Sequence, residues 1–344
     1  MKYVILAFAC VAVAAAIRPI TVVVAGEAGK GGPAGRILIV QSYNPEYVWT
    51  RQIDKGLRDA LAGVAVDFGV VYLDAKRRPD PGLQRAAAQK VLARIEAEAP
   101  RVVVAVDDPA QAYLVAPFLK GRSSPQVVFC GVNAPLETYG YPAANVTGVR
   151  ERYHFREGFE LVKKIVPQAE RVAFLGEDSE SMRYVAGDLR EDLLQNGPYA
   201  LDLAGVDQCA TFQEWQRKVR YYQKHADVLS FGPYNSLKDE RTGRVADIDE
   251  VMAWTNAANT KPTLGFADIA KQHGALCGIL ESGHEQGLLA GAMVREILTT
   301  DKAAGRVPVE VNVKGLVLIN LKTAERLGVR VPYEIIEAAT EVIR

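Results

Sequence analysis

The sequence predicts an α/β protein of two lobes, each a parallel sheet flanked by helices, and three observations lead there. A chain of 344 residues exceeds the roughly 100–200 residues that one core usually organises. From Arg36 onward, short β-branched runs alternate with longer stretches of helical period, the pattern of βαβ units. The alternation falls into two comparable series with no obvious sequence repeat between them.

The first series opens with the strand Ile37–Val40, which runs into Gln41-Ser42-Tyr43. Asn44-Pro45 then reads as an N-cap followed by proline at the first helical position. The helix places Ile53, Leu57, Ala60 and Leu61 on one face and stops at Gly63. Strand 66–72, a helix through Leu83 to Ile95, strand 102–106, a helix entered through Asp108-Pro109 and strand 127–130 complete the first lobe. A connecting strand near 146–149 leads to the second series: helix 157–166, strand 171–175, helix 182–194 and a strand near 199–204. There follow a helix opened by Thr211 and Glu214 at capping-box spacing, strand 228–231, helix 248–258 and strand 262–265. Residues 275–300 give a further strand and helix, and strand 316–319 with two short helices ends the chain.

Composition narrows the functional classes. Hydrophobic residues make up 49% and charged residues 24%, an ordinary globular balance. Lysine plus arginine and aspartate plus glutamate both total 41, so the positive field that a phosphate backbone requires is missing and nucleic acid is excluded as a partner. The basic run Lys76-Arg77-Arg78 reads as a solvated turn. Lys2 precedes an apolar run from Tyr3 to Ile17 that Arg18-Pro19 interrupts, and a Gly-rich tract extends to Gly35. This reads as a secretory signal over residues 1–25, cleaved between 16 and 28, with a linker over 26–35; the apolar run falls short of the roughly 20 residues of a membrane span. The protein is therefore expected outside the cytoplasm, in a periplasm or its equivalent. Its removal leaves a slight acidic excess and three widely spaced cysteines, Cys130, Cys209 and Cys277, a poor disulfide framework.

In open parallel sheets, ligands bind beyond the carboxyl ends of the strands. That rule selects Ser42, Tyr43 and Trp49 after the first strand, Asp107 and Asp108 after the third, and Val132 and Asn133 after the fourth. In the second series it selects Asp178, Glu180 and Ser181, then Tyr234 and Asn235, and finally Asp268. Aromatic faces, amides, hydroxyls and carboxylates together suit a small polar or zwitterionic ligand. There is no GxGxxG, Walker, GxSxG or HExxH motif, so nicotinamide, phosphate-cradling and common hydrolytic chemistries have no local signature. His273, Cys277 and His284 fit no closed zinc spacing. Neither a cofactor nor a metal is expected.

Several segments resemble a known family. "QSYNPEYVWTRQIDKGL", "VVYLDAKRRPD", "VVVAVDDPAQAYL", "VVFCGVNAP", "NVTGV" and "LVLINLKTAERLGVRVP" are similar to ABC-transporter substrate-binding proteins, whose relatives also serve as extracytoplasmic sensor domains. The resemblance implies a type I periplasmic-binding-protein architecture: two Rossmann-like lobes with parallel sheets, three interlobe crossovers and a ligand in the cleft. It also implies that the strand-tip residues named above face that cleft. Some relatives bind aromatic amino acids; the "GVNAP" turn is closer to the sensor-like branch, since the transporter branch usually has an aspartate-proline pair there. The lobes are expected over 36–148 with about 274–306, and 149–273 with about 307–344.

The reading is a monomeric, non-enzymatic solute-binding protein that closes on a small polar or zwitterionic molecule, with amino acids as the candidate class, and hands it to an ABC permease supplied in trans. Two alternatives stand beside it: a ligand-sensing module for a membrane signalling partner in trans, and an exported enzyme using dispersed carboxylates such as Asp107 with Asp178.

Overall fold

The computed structural model describes residues 35–312 and 315–344, so the leader expected over 1–25 lies outside the described residues. The first half runs β1 (Gly35–Gln41), α1 (Val48–Ala60), β2 (Val66–Tyr72), α2 (Pro81–Glu98), β3 (Val102–Val106), α3 (Asp107–Ala110) with a π-helical continuation to Leu119, β4 (Gln126–Val132) and β5 (Val146–Arg150). The second runs α4 (Phe155–Ile165), β6 (Arg171–Glu177), α5 (Glu180–Asn196), β7 (Asp202–Cys209), α6 (Phe212–His225), β8 (Val228–Phe231), α7 (Ile248–Ala258), β9 (Thr263–Ala267), α8 (Ile269–Gln272) and β10 (Cys277–Glu281). The chain ends with α9 (Gly283–Thr300), β11 (Glu310–Val311), β12 (Leu316–Asn320), α10 (Leu321–Leu327), α11 (Tyr333–Ala338) and β13 (Glu341–Ile343).

Two sheets result, ordered β11-β5-β4-β3-β1-β2 and β13-β12-β10-β9-β8-β6-β7. All pairings are parallel except β10 with β12. Near-continuous apolar strands such as Val102–Val106, buried throughout, have helices on both faces, as a parallel sheet requires. The chain passes between the lobes after β5, after β10 and after β11, giving the three crossovers expected. The expected boundaries shift, however. β10 pairs with β9, so the return to the first lobe comes near 282 rather than 274. β11 pairs with β5, so the last departure comes near 312 rather than 306.

Local expectations hold where pattern alone decides. β2, β8 and α7 match their anticipated bounds. Thr211 caps α6 by accepting from Glu214 N at 3.1 Å. Others move. α1 starts at Val48 instead of Pro45, because the Asn44 amide donates to Glu46 Oε2 and residues 44–47 form a turn closed by Tyr47 N donating to Asn44 O. β7 begins at Asp202, three residues later than read, and β13 was not anticipated. No described helix is long and apolar enough to cross a membrane.

α9 returns to the first lobe through a glycine contact. A Cβ at Gly56 would stand 2.1 Å from His284 O, and one at Gly287 would stand 2.3 Å from Ile53 O. The two backbones touch where no side chain fits. This places Trp49 at one end of α1 and Gln286 on α9 around the same strand tips, and Gln286 accepts from Gly131 N at 2.9 Å. Gly287→Ala should force the helices apart and cost about 1–3 kcal/mol, as overpacking does. A lowered thermal midpoint checks it, and a control at Gly187, where a Cβ meets nothing within 4 Å, should leave the midpoint unchanged or raised.

Candidate functional site

Between the lobes lies an inner cavity of about 70 Å³ lined by Tyr43, Tyr47, Trp49, Lys76, Asp107, Asn133 and Glu151 from the first lobe and first crossover. Tyr153, Ser181, Pro233, Tyr234, Asn235, Ala267 and Ile269 close it from the second. It opens into an outer chamber of about 1010 Å³, which shares Tyr47, Trp49, Lys76, Asn235, Ala267 and Ile269 and adds Asp268 and His273. The strand tips of both sheets therefore meet across one gap, spanned by Asn235 Nδ2 donating to Tyr47 Oη at 2.8 Å.

Asp107 forms the floor. It follows the fully buried β3 and adopts φ +63°, a left-handed conformation that costs a non-glycine residue energy and tends to mark functional sites. The turn swings the carboxyl towards Gly131, where a Cβ would stand 2.6 Å from Asp107 Oδ1; glycine there, itself at φ +69°, leaves room. Trp49 Nε1 donates to Oδ1 at 2.9 Å, while Oδ2 is buried and has no hydrogen-bond partner among the described residues. Burial pushes the Asp107 carboxyl up to about 8, the Trp49 hydrogen bond opposing. Glu151, whose Oε2 accepts from Asn133 Nδ2 at 3.0 Å, is raised well above the usual carboxylate range by burial and by the nearby Asp107. Burial thus pushes two acids at the cleft floor towards their neutral forms.

Asp108, the next residue, does different work. Its Oδ2 accepts from Asn133 N and its Oδ1 from Ala134 N and Tyr139 Oη, at 2.9–3.1 Å. That carboxyl organises the loop after β4 and does not line the cavity. Ser42 likewise turns inward: Oγ donates to Val106 O at 2.5 Å and accepts from Ala110 N at 2.9 Å, tying the tips of β1 and β3. Val132 is buried in β4. Asp178, just before α5, and Glu180, at its start, leave the gap for partners on α5, Arg183 at 2.9 Å and Tyr184 at 2.9 Å. Asp107 and Asp178 do not share the cavity, so the paired-carboxylate enzyme loses its geometry. Of the residues expected, the inner cavity gathers Tyr43, Trp49, Asp107, Asn133, Ser181, Tyr234 and Asn235, and Asp268 stands in the outer chamber.

The structure adds Tyr47, Lys76, Glu151 and Tyr153. Lys76 corrects the reading of a solvated basic turn: Arg77 and Arg78 remain exposed beside Asp74, but Lys76 lies half-buried with Nζ 4.6 Å from the Tyr43 ring centroid and 5.2 Å from that of Tyr47. Glu151 and Tyr153 were legible in principle, since the first crossover leaves the carboxyl edge of the sheet as the strand-tip loops do. His273, Cys277 and His284 separate: His273 Nδ1 meets Tyr234 Oη at 2.8 Å, Cys277 is buried in β10, and His284 faces Asp59 at 2.7 Å. Among the described residues no cluster of three His, Cys, Asp or Glu could hold a metal.

Residues 50–343 match the ABC transporter substrate binding protein family. The chain belongs to that family. As an ABC substrate-binding protein, it has a solute-binding role and a fold whose neighbours agree. The ABC domain from Streptococcus pneumonia in complex with L-Trp superimposes with a TM-score of 0.69 at 20% identity, covering 90% of this chain and 99% of that one. A conserved domain protein from Vibrio cholerae gives 0.68 at 19% identity, and the ligand-free, open structure of a substrate binding protein with adhesive properties from Clostridium difficile gives 0.65 at 17%, each with 90% and 99% coverage. At these identities they establish the type I periplasmic-binding-protein fold. No curated protein matches the sequence.

Asp107 makes the binding protein's stability depend on pH. Burial pushes its carboxyl up to about 8, above the ordinary carboxylate range, so the folded state retains a proton that the unfolded chain gives up. The resulting stabilisation is complete below about pH 4 and is lost as pH rises towards 8. Asp107→Asn, which keeps an acceptor for Trp49, should flatten that part of the profile; thermal midpoints of both proteins between pH 4 and pH 8 check it.

Proposed function

We propose that the protein is an extracytoplasmic receptor that captures a small zwitterionic solute, an amino acid in class, and presents it to an ABC permease. An N-terminal leader such as residues 1–25 supplies the export. The observation that carries the ligand class is the buried Asp107 carboxyl, which lines the gap and whose Oδ2 has no hydrogen-bond partner among the described residues. A bound ammonium group completes its hydrogen bonding, and the ion pair in a dry site is what makes the carboxylate worth ionising. Trp49 holds the carboxyl through Oδ1, and its ring with Ile269 lines the outer chamber where an apolar portion can pack.

Volume supports a two-part seat. The inner cavity, about 70 Å³, accommodates a head group of a few atoms, while the outer chamber, about 1010 Å³, reaches the range of small-molecule pockets. Closure of the lobes over the side chain excludes water and is favoured by the ligand's higher affinity for the closed form. Binding requires no covalent step. The L-tryptophan held by the pneumococcal relative accords with an aromatic side chain in the outer chamber.

Because Asp107 must release a proton to receive an ammonium group, affinity should rise with pH up to about 8, by as much as about tenfold per unit below that value. Calorimetry with an amino-acid panel should find a ligand whose binding near pH 7 releases close to one proton, read from the dependence of apparent enthalpy on buffer. Asp107→Asn should weaken the same ligand at least about tenfold and abolish the proton release. A panel with no binder discards the amino-acid class; a binder indifferent to Asp107→Asn discards the assignment of Asp107.

A further inference from the structure

Lys76 is a half-buried cation with no carboxylate at ion-pair distance among the described residues. It leaves β2 through Leu73, Asp74 and Ala75 and enters the gap, where it lines both the inner cavity and the outer chamber. Its ammonium group rests over two aromatic faces, Tyr43 at 4.6 Å and Tyr47 at 5.2 Å. Three carboxyls act on it through space: Glu177, Asp107 and Glu151. None of the three forms an ion pair with it among the described residues. Asp107 and Glu151 are driven towards their protonated forms by burial, and Glu177 Oε2 accepts from Ser236 N in the other lobe.

Buried charges in folded proteins are normally paired, because aromatic faces replace only part of the lost hydration. The two neighbouring arginines have their partners: Arg77 pairs with Asp74 and Glu46, and Arg78 with Asp74. Arg77 reaches only the outer chamber, whereas Lys76 alone of the three also lines the inner cavity, and the missing counter-charge there fits a ligand.

We infer that Lys76 is the anion-binding, selectivity-determining residue of the cleft, receiving the ligand's carboxylate and, by occupying the Tyr43 and Tyr47 faces, rejecting amines that carry no carboxylate. The inference rests on the solute-capture reading and deepens it. Asp107 and Lys76 then form the two poles of a zwitterion seat. Without Lys76 the same aromatic faces and buried acids make a cage for a plain organic cation, so one side chain separates amino acids from their decarboxylated counterparts.

The test pairs L-tryptophan, L-tyrosine and L-phenylalanine with tryptamine, tyramine and phenethylamine in calorimetric titrations of the whole protein, its Lys76→Met and its Lys76→Arg variants. The wild type should bind at least one amino acid at least tenfold more tightly than the matching amine. Lys76→Met should weaken the amino acid at least tenfold and strengthen the amine, narrowing or reversing the preference, while Lys76→Arg should keep it. An amine that binds the wild type as well as its amino acid overturns the role of Lys76 and leaves solute capture standing. So does a Lys76→Met protein with both affinities unchanged. If no compound binds the wild type, an aromatic amino acid is ruled out as the ligand and this inference falls with it. Should Lys76→Met fail to fold, the wild-type ratio and the Lys76→Arg titration still decide.

Discussion

One side chain ties together the three chain passages on which the cleft depends. Asn312, at the last crossover, donates to Arg152 O at 3.1 Å and accepts from Arg152 N at 2.8 Å, gripping the first crossover by its backbone. The same amide donates to Glu281 of the second crossover and accepts from Gln286 Nε2 at 3.3 Å. His154 Nε2 stands 3.3 Å from the other Glu281 oxygen. Because buried polar groups are costly to leave unpaired, this junction constrains how the two sheets face one another. Gln286 passes the constraint on, since it also holds Gly131 at the edge of the Asp107 carboxyl.

The second lobe meets the same junction from outside. Arg152 pairs with Asp188 on α5 at 2.8 Å, and Arg150 reaches the same carboxyl at 3.4 Å while donating to Ala134 O at 3.1 Å. The loop that presents Asn133 is thereby linked to a helix of the opposite lobe. A protein that opens and closes needs a hinge whose bonds survive the motion and a gap whose bonds do not. Here the hinge is dense with buried polar pairs, whereas the side chains that meet across the gap, such as Asn235 donating to Tyr47 Oη, line its cavities. That contrast suits hinge closure.

Inside the gap the electrostatics are unusual in one respect. Burial pushes the acidic side chains at the floor towards neutrality while the ammonium group on their rim is held charged, so the cleft is less negative than its number of carboxyls suggests. Desolvation drives the acids in that direction, and the aromatic faces soften its effect on the lysine. Charge in such a site is set by what enters it.

Much of the fold was legible in the sequence. Alternation of β-branched runs with helical stretches, and the punctuation at Gly63 or Thr211, arise from local backbone and side-chain sterics that act within a few residues. Such signals fixed the α/β class, most elements and the strand-tip loops where a ligand belongs. They could not tell Asp107 from Asp108, or Lys76 from Arg77. Asp107 and not Asp108 lines the inner cavity because its backbone is left-handed and because Asn133 and Tyr139, 25 and 31 residues away, claim the Asp108 carboxyl; Lys76 reaches that cavity while Arg77, paired with Asp74 and Glu46, reaches only the outer chamber. A side chain's direction at a strand tip depends on which distant group satisfies it, and only tertiary structure brings those groups within reach.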